Sequence, residues 1–235
     1  MPKLMIIQPG AVGDIILCLP IAKYWANQGH EVFWPVRKNF IKHFEHIDYV
    51  VPIILNEEVI DSDWLRSDVI KCLRIYEDQN FEYGLNLADR GPHSTAQKPT
   101  ENFEQAKYRL SSVPFYEKHH LEWTRNKDKE EYIYNKYATE GSYAFVHDTS
   151  SHNEKTELPN ISLPIVRCED FSPDYNIFDW YTVISSADEI YVTESSIWAF
   201  CDGIVNDLSE NCYLLPREKM GNMTTISEHW NRKYL

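Results

Sequence analysis

Apolar positions along this chain fall into short unbroken runs, separated by longer stretches in which apolar and polar residues mix. The first run, 5–8, reads as a strand buried on both faces. The mixed spacing over 14–28 predicts a helix ended by Gly29, with Pro20 inside it as a bend or a break in its hydrogen bonds. Strands are predicted at 31–36 and 49–55, with a helix at 38–46 between them. A helix over 63–76 carries Trp64, Val69, Ile70, Leu73 and Ile75 as a partly periodic apolar face. A strand at 83–87 opens into the polar loop 88–95, and a helix follows at 101–111. Strand–helix alternation of this kind marks a parallel sheet with crossover helices.

The segment 125–139 begins as a charged run and becomes helical; it reads as a solvated connection. The alternation then restarts. A strand at 143–147 leads into the polar turn 148–153, and a further strand is predicted at 161–167. A helix at 177–186 carries Phe178, Trp180, Tyr181 and Ile184 as apolar positions. A strand at 189–193 runs into a helix at 195–204, and 212–215 reads as the last strand. The tail, 224–234, is predicted as a helix returning to the first half. The pattern therefore divides into two α/β lobes, residues 1–125 and 140–235.

Composition adjusts this picture in three places. A length of 235 residues suits one large domain or two small ones, and 43% hydrophobic residues suffice for a packed core. The formal net charge is −13, and its acidity is uneven: residues 1–100 hold 10 Lys/Arg against 13 Asp/Glu, residues 101–235 hold 13 against 23. That balance argues against nucleic acid as a partner and against broad attachment to anionic lipid. Five Cys, widely spaced and without zinc-type intervals, are expected to be reduced, mostly buried thiols of a cytoplasmic protein. The first residues read as a strand rather than a signal peptide, and without a run of 18 apolar residues no stable membrane insertion is expected. The 15 Tyr and 7 Trp suit a sugar site, but any one of them more often fills a core.

The most informative chemistry lies between the first strand and the first helix. Gly10 and Gly13 allow the backbone to approach a ligand closely, and Asp14 stands where the helix begins. The open end of a helix favours anions. Asp14 is then either a helix cap or a general base that takes a proton from an attacking hydroxyl. A helix N-terminus also stabilises the charged carboxylate, which weakens it as a base.

Gly10, Gly13, Asp14, Leu19 and Pro20 together resemble the opening of the bacterial heptosyltransferases, which move heptose from ADP-heptose onto lipopolysaccharide. Those chains share a hydrophobic strand, a Gly-x-x-Gly-Asp turn and a helix with Leu-Pro one turn on. The resemblance covers roughly the first thirty residues, and 143–205 more loosely. It implies a compact version of the GT-B architecture, an α/β fold of two Rossmann-like parallel-sheet lobes facing a cleft. It also implies that Asp14 is the base. The family's donor-nucleotide site matches Thr193-Glu194-Ser195-Ser196, where an acid and small residues follow a strand and open a helix. The chain departs by having Ser-Ser where glycine is usual and Glu where Asp is usual. Ser195 also suits an ordinary cap. The turn His147-Asp148-Thr149-Ser150-Ser151-His152 corresponds to one that reaches the donor diphosphate, with Lys155 as the available cation.

The donor-binding candidates are thus Gly13, His147, Thr149, Ser150, Ser151, Lys155, Glu194, Ser195 and Ser196. Arg90 and His93, in the loop after the fourth strand, are acceptor-binding candidates, since ligands in open α/β sheets bind at strand carboxyl ends. Asp61-Ser62-Asp63 has the form of a metal-binding Asp-x-Asp but reads as the cap of the next helix, so no metal and no cofactor are expected. The expected partners are a nucleotide-sugar donor and a glycan acceptor. Two alternatives stay open: a fucosyltransferase-like or epimerase-like enzyme on another nucleotide sugar, and a non-catalytic protein binding a nucleotide or glycan.

Overall fold

The computed structural model describes residues 1–55, 64–88, 101–138, 140–149, 155–168, 175–215 and 229–232. The chain divides into two compact units, Met1–Thr124 and Arg125–Leu235. Each is a parallel sheet with helices, so the α/β reading and the two parallel sheets stand.

The first unit contains strands β1 (Lys3–Ile7), β2 (Glu31–Arg37), β3 (Val51–Leu55) and β4 (Tyr83–Asn86), in the order β3-β2-β1-β4. Met5 lies opposite Phe33 on one side and Gly84 on the other. β1 is central, which explains why its apolar run is unbroken: Leu4, Met5, Ile6 and Ile7 are all buried. Helix α1 (Val12–Asn27) is buried over Ile15–Ala22, on one side by the sheet's crossover and on another by the segment that follows β4. Tyr108 donates to the Leu17 carbonyl and Trp25 to the Ser111 carbonyl, tying α1 to that segment. Pro20 sits inside α1 without ending it, and Gly29, at φ +88°, turns the chain out of the helix. The region predicted as a helix at 38–46 is a 3₁₀ helix, Lys38–Phe44. Helix α2 (Trp64–Asp78) packs Cys72 and Tyr76 against Met5, Ile7 and Phe81. Gly84 makes this possible: a Cβ there would lie 2.8 Å from the Tyr76 ring. Helix α3 (Phe103–Leu110) opens with a reciprocal cap between Asn102 and Gln105.

The second unit opens with helix α4 (Lys127–Tyr137), and this corrects the reading of 125–139 as a solvated connection. Glu130 and Ile133 are buried, and Glu130 accepts from Arg125 at 2.5 Å and from Thr182 at 2.7 Å. Lys127, Asp128 and Glu131 do face solvent, but Glu130 is paired inward and the helix belongs to the second unit rather than to a connection. Strands β5 (Ala144–His147), β6 (Ile165–Arg167), β7 (Glu189–Thr193), β8 (Cys212–Leu215) and β9 (Trp230–Arg232) form an all-parallel sheet in the order β6-β5-β7-β8-β9. The predicted helix at 177–186 is a 3₁₀ turn, Ile177–Trp180, passing into helix α5 (Tyr181–Ser185). Helix α6 is Ser196–Gly203. The tail is a second correction. Trp230–Arg232 is not helical but extends the sheet beside β8, with Trp230 buried and its indole N–H donating to Asp202 at 3.0 Å.

Candidate functional site

Two groups of polar side chains gather at strand carboxyl ends, one in each unit. In the first, β1 runs through Gln8 and Gly10 into α1. The cap position of α1 is Ala11, at φ 51° and ψ 130°, a left-handed conformation an alanine adopts at a cost of about 1–3 kcal/mol. Asp14 is the third residue of the helix, within its first turn, so it does not occupy the cap that the sequence offered it as an alternative. Its carboxylate is buried, and the ammonium of Lys107, on α3, lies 3.6 Å from its Oδ1. Lys107 is itself 2% exposed. It donates to Gln8 Oε1 at 3.1 Å and to the Leu87 carbonyl just beyond β4. The Gln8 amide in turn donates to the Gly10 carbonyl at 3.1 Å and so shapes the glycine turn. Gly13 is half-buried in the first turn of α1.

At the same edge, Arg37 at the end of β2 pairs with the buried Asp68 of α2, which also lies 3.4 Å from Lys71. Arg90 and His93, and with them Asp61-Ser62-Asp63, lie outside the described residues.

In the second unit a pocket of about 310 Å³ opens at the ends of β5 and β6. Val146, His147, Asp148, Thr149, Lys155, Arg167 and Cys168 line it. Asp148 is buried, accepts from Arg167 Nη1 at 2.7 Å, and lies 4.0 Å from the well-exposed ammonium of Lys155. Thr149 and Lys155 face each other in an antiparallel bridge. Ser150 and Ser151, between them in sequence, lie outside the described residues. Ser195 caps α6, accepting from the Trp198 N–H at 3.3 Å, and its hydroxyl is also 3.2 Å from His147 Nδ1. This hydrogen bond joins two candidates that are 48 residues apart in sequence. Glu194 and Ser196 flank Ser195 and are half-buried. Thr193, fully buried at the end of β7, accepts from Thr156 at 3.3 Å.

The structure thus brings His147 to Ser195, and Thr149 and Lys155 to one pocket. Three residues at these sites were not singled out from sequence. Lys107 had a signal: Phe103, Ala106, Lys107 and Leu110 follow the spacing of a helix's apolar stripe, and a lysine on such a stripe is either a mistake of register or a buried cation. Arg167 had one too, as a cation at the carboxyl end of a predicted strand. Gln8 had none. Among the described residues, no three His, Cys, Asp or Glu side chains are grouped to share a metal ion, and no helix is long and apolar enough to cross a membrane.

No family model and no curated protein matches the sequence. Solved structures do match. The glycosyl transferase family 9 structure from Veillonella parvula DSM 2008 is similar over 99% of this chain and 86% of its own, with a TM-score of 0.64 at 10% identity. The E. coli heptosyltransferase WaaC, solved with ADP-2-deoxy-2-fluoro heptose, is similar over 99% of this chain and 93% of its own, with a TM-score of 0.55, also at 10% identity. The likeness to the heptosyltransferases read from the first turn therefore extends, as a likeness of fold, along nearly the whole chain: two parallel-sheet α/β units of the kind found in GT-B-like glycosyltransferases.

Proposed function

We propose that this protein is a glycosyltransferase, moving a sugar from a nucleotide-sugar donor to a glycan hydroxyl with inversion and without a metal ion. The observation that carries the reading is Asp14. It is a buried carboxylate in the first turn of a helix, at the carboxyl edge of a parallel sheet, with a buried lysine beside it. Such an arrangement is costly for stability alone, since two charges are withdrawn from water. The fold shared with two glycosyltransferase structures supports the reaction class.

In this reading Asp14 accepts the proton of the acceptor hydroxyl as its oxygen attacks the anomeric carbon. The bond from that carbon to the diphosphate oxygen breaks on the opposite face, and the configuration inverts. The leaving diphosphate gathers negative charge. Lys155 and Arg167, the hydroxyls of Thr149, Ser150, Ser151, Ser195 and Ser196, and the N-terminus of α6 would receive it. His147 orients the Ser195 hydroxyl. Glu194 accepts from ribose hydroxyls, Gly13 permits close backbone approach, and Arg90 and His93 contact the acceptor. The donor is a substrate, and no cofactor takes part. The five free cysteines suit a cytoplasmic protein.

The test is turnover. The purified protein is incubated with a panel of nucleotide sugars and glycan extracts, and released nucleoside diphosphate is quantified. Acceptor-dependent release that persists in EDTA is the expected result. Nucleotide binding without release from any donor would make the protein a binder, and release restored only by manganese would overturn metal independence.

A further inference from the structure

We propose that Lys107 is a positioning residue for Asp14: its ammonium supplies the counter-charge that the buried carboxylate needs, fixes it to the carboxyl edge of the first sheet, and influences transfer only through it. This rests on the reading of Asp14 as the base.

The geometry separates Lys107 from an ordinary structural lysine. A lysine has three donors. Two of them go to neutral acceptors, Gln8 Oε1 at 3.1 Å and the Leu87 carbonyl, and Asp14 Oδ1 is 3.6 Å away. Those two acceptors follow β1 and β4, and Asp14 lies in α1, so one side chain from α3 joins three separate elements at one edge. Tying Gln8 to Leu87 needs only a neutral donor. Placing an ammonium there, 2% exposed, costs several kcal/mol of desolvation unless an anion faces it. Helix α3 supplies the comparison. Its Glu104 is fully buried and meets Lys118 at 3.2 Å. Lys107, one turn on, is directed instead to the carboxylate at the open end of α1. A carboxylate held in so dry a place without a cation has nothing to offset its lost hydration and no partner that fixes its position.

The experiment compares four proteins: the parent, Lys107→Met, Asp14→Asn and the double variant. Donor KM, kcat for transfer and thermal unfolding are measured for each. Lys107→Met should lower kcat on the order of 10²-fold, as a misplaced catalytic group does, with donor KM little changed. In the Asp14→Asn background the same substitution should remove nothing further, because the group it acts through is gone. Lys107→Gln, which keeps a donor for Gln8 and Leu87 but no charge, should behave like Met and guards against a Met variant that fails to fold. Equal losses in both backgrounds, a loss confined to KM, or a fully active Gln variant would overturn the proposal. If the parent transfers and the losses multiply, only the role of Lys107 falls; a parent that transfers from no donor removes the role of Asp14 with it.

Discussion

Ser195 has two tasks that substitution can separate. As the cap of α6 its hydroxyl accepts from Trp198 N–H at 3.3 Å, and as a donor-site residue it is proposed to receive a phosphate oxygen. Ser195→Ala removes the cap, at about 1 kcal/mol. That lowers the melting temperature by about 2–4 °C if the whole chain melts together, and by about 4–8 °C if the second unit melts alone. Ser195→Asp keeps the cap, since Asp serves there as well as Ser. Its carboxylate also retains an acceptor for His147 Nδ1, now 3.2 Å from the hydroxyl. It brings a negative charge to the proposed diphosphate site, where repulsion at about 4 Å amounts to about 4 kcal/mol at an effective dielectric near 20. The Ala variant loses one hydrogen bond to a charged group, about 1.5–3 kcal/mol. Titration calorimetry with a panel of nucleoside diphosphates should therefore show binding weakened about 10³-fold in the Asp variant and about 10–100-fold in the Ala variant. Only Ala should lower the melting temperature. An Asp variant that binds a diphosphate as tightly as the parent would refute the reasoning.

Three further expectations follow from burial. Desolvation pushes the Cys72 and Cys212 thiols up to about 12 and Cys201 well above the ordinary thiol range, while Cys168 is half-buried at the pocket. At pH 8 about one in 10⁴ of the Cys72 and Cys212 thiols is the reactive thiolate, and Cys18 and Cys201 are buried, so a thiol reagent should modify at most one of the five cysteines promptly in the native protein and all five in denaturant. Two or more fast native thiols would contradict this. The same groups keep their protons in the folded state while unfolded thiols ionise, so their contribution to stability should be lost progressively as pH rises from about 8.5 through about 12, readable from chemical unfolding. Lys118→Met leaves the fully buried Glu104 without its cation and should destabilise the first unit by about 3–5 kcal/mol, with Glu104→Gln in the same chain recovering part of the loss; an unchanged unfolding midpoint would contradict the pair.

The apolar runs were legible because central parallel strands are buried on both faces, and Leu4–Ile7 and Ile190–Val192 show no alternation to confuse with a surface strand. Gly29 was legible as a helix stop because its φ of +88° suits glycine. Three features were not. β9 is only three residues long, too short for any period, and its tryptophan looks the same in a helix or a strand. α1 begins at Val12 behind a strained Ala11, whereas capping preferences point to Asp14. The run from Arg125 reads as solvated by composition, yet Arg125 and Glu130 are partners in three dimensions. At the sites, His147 and Ser195 were each visible as strand-end residues, but their 3.2 Å contact depends on β5 and β7 being neighbours, a fact of topology and not of spacing. Lys107 escaped because a charged residue on an apolar stripe is usually discounted, and only the packing of α3 against the ends of β1 and β4 shows what it meets.

The central claim is that Asp14 is the base of a sugar transfer, and the most direct measurement is the transfer rate of Asp14→Asn beside the parent, with donor affinity and melting temperature taken from the same preparations. Asn has the size of Asp and leaves an amide oxygen for Lys107, whose ammonium is 3.6 Å from Oδ1. It cannot accept the acceptor's proton. A rate reduced on the order of 10²-fold or more, with donor binding unchanged and cooperative unfolding kept at a lower melting temperature because Lys107 has lost its anion, is the predicted result. An Asn variant that retains most of its transfer rate would contradict the account.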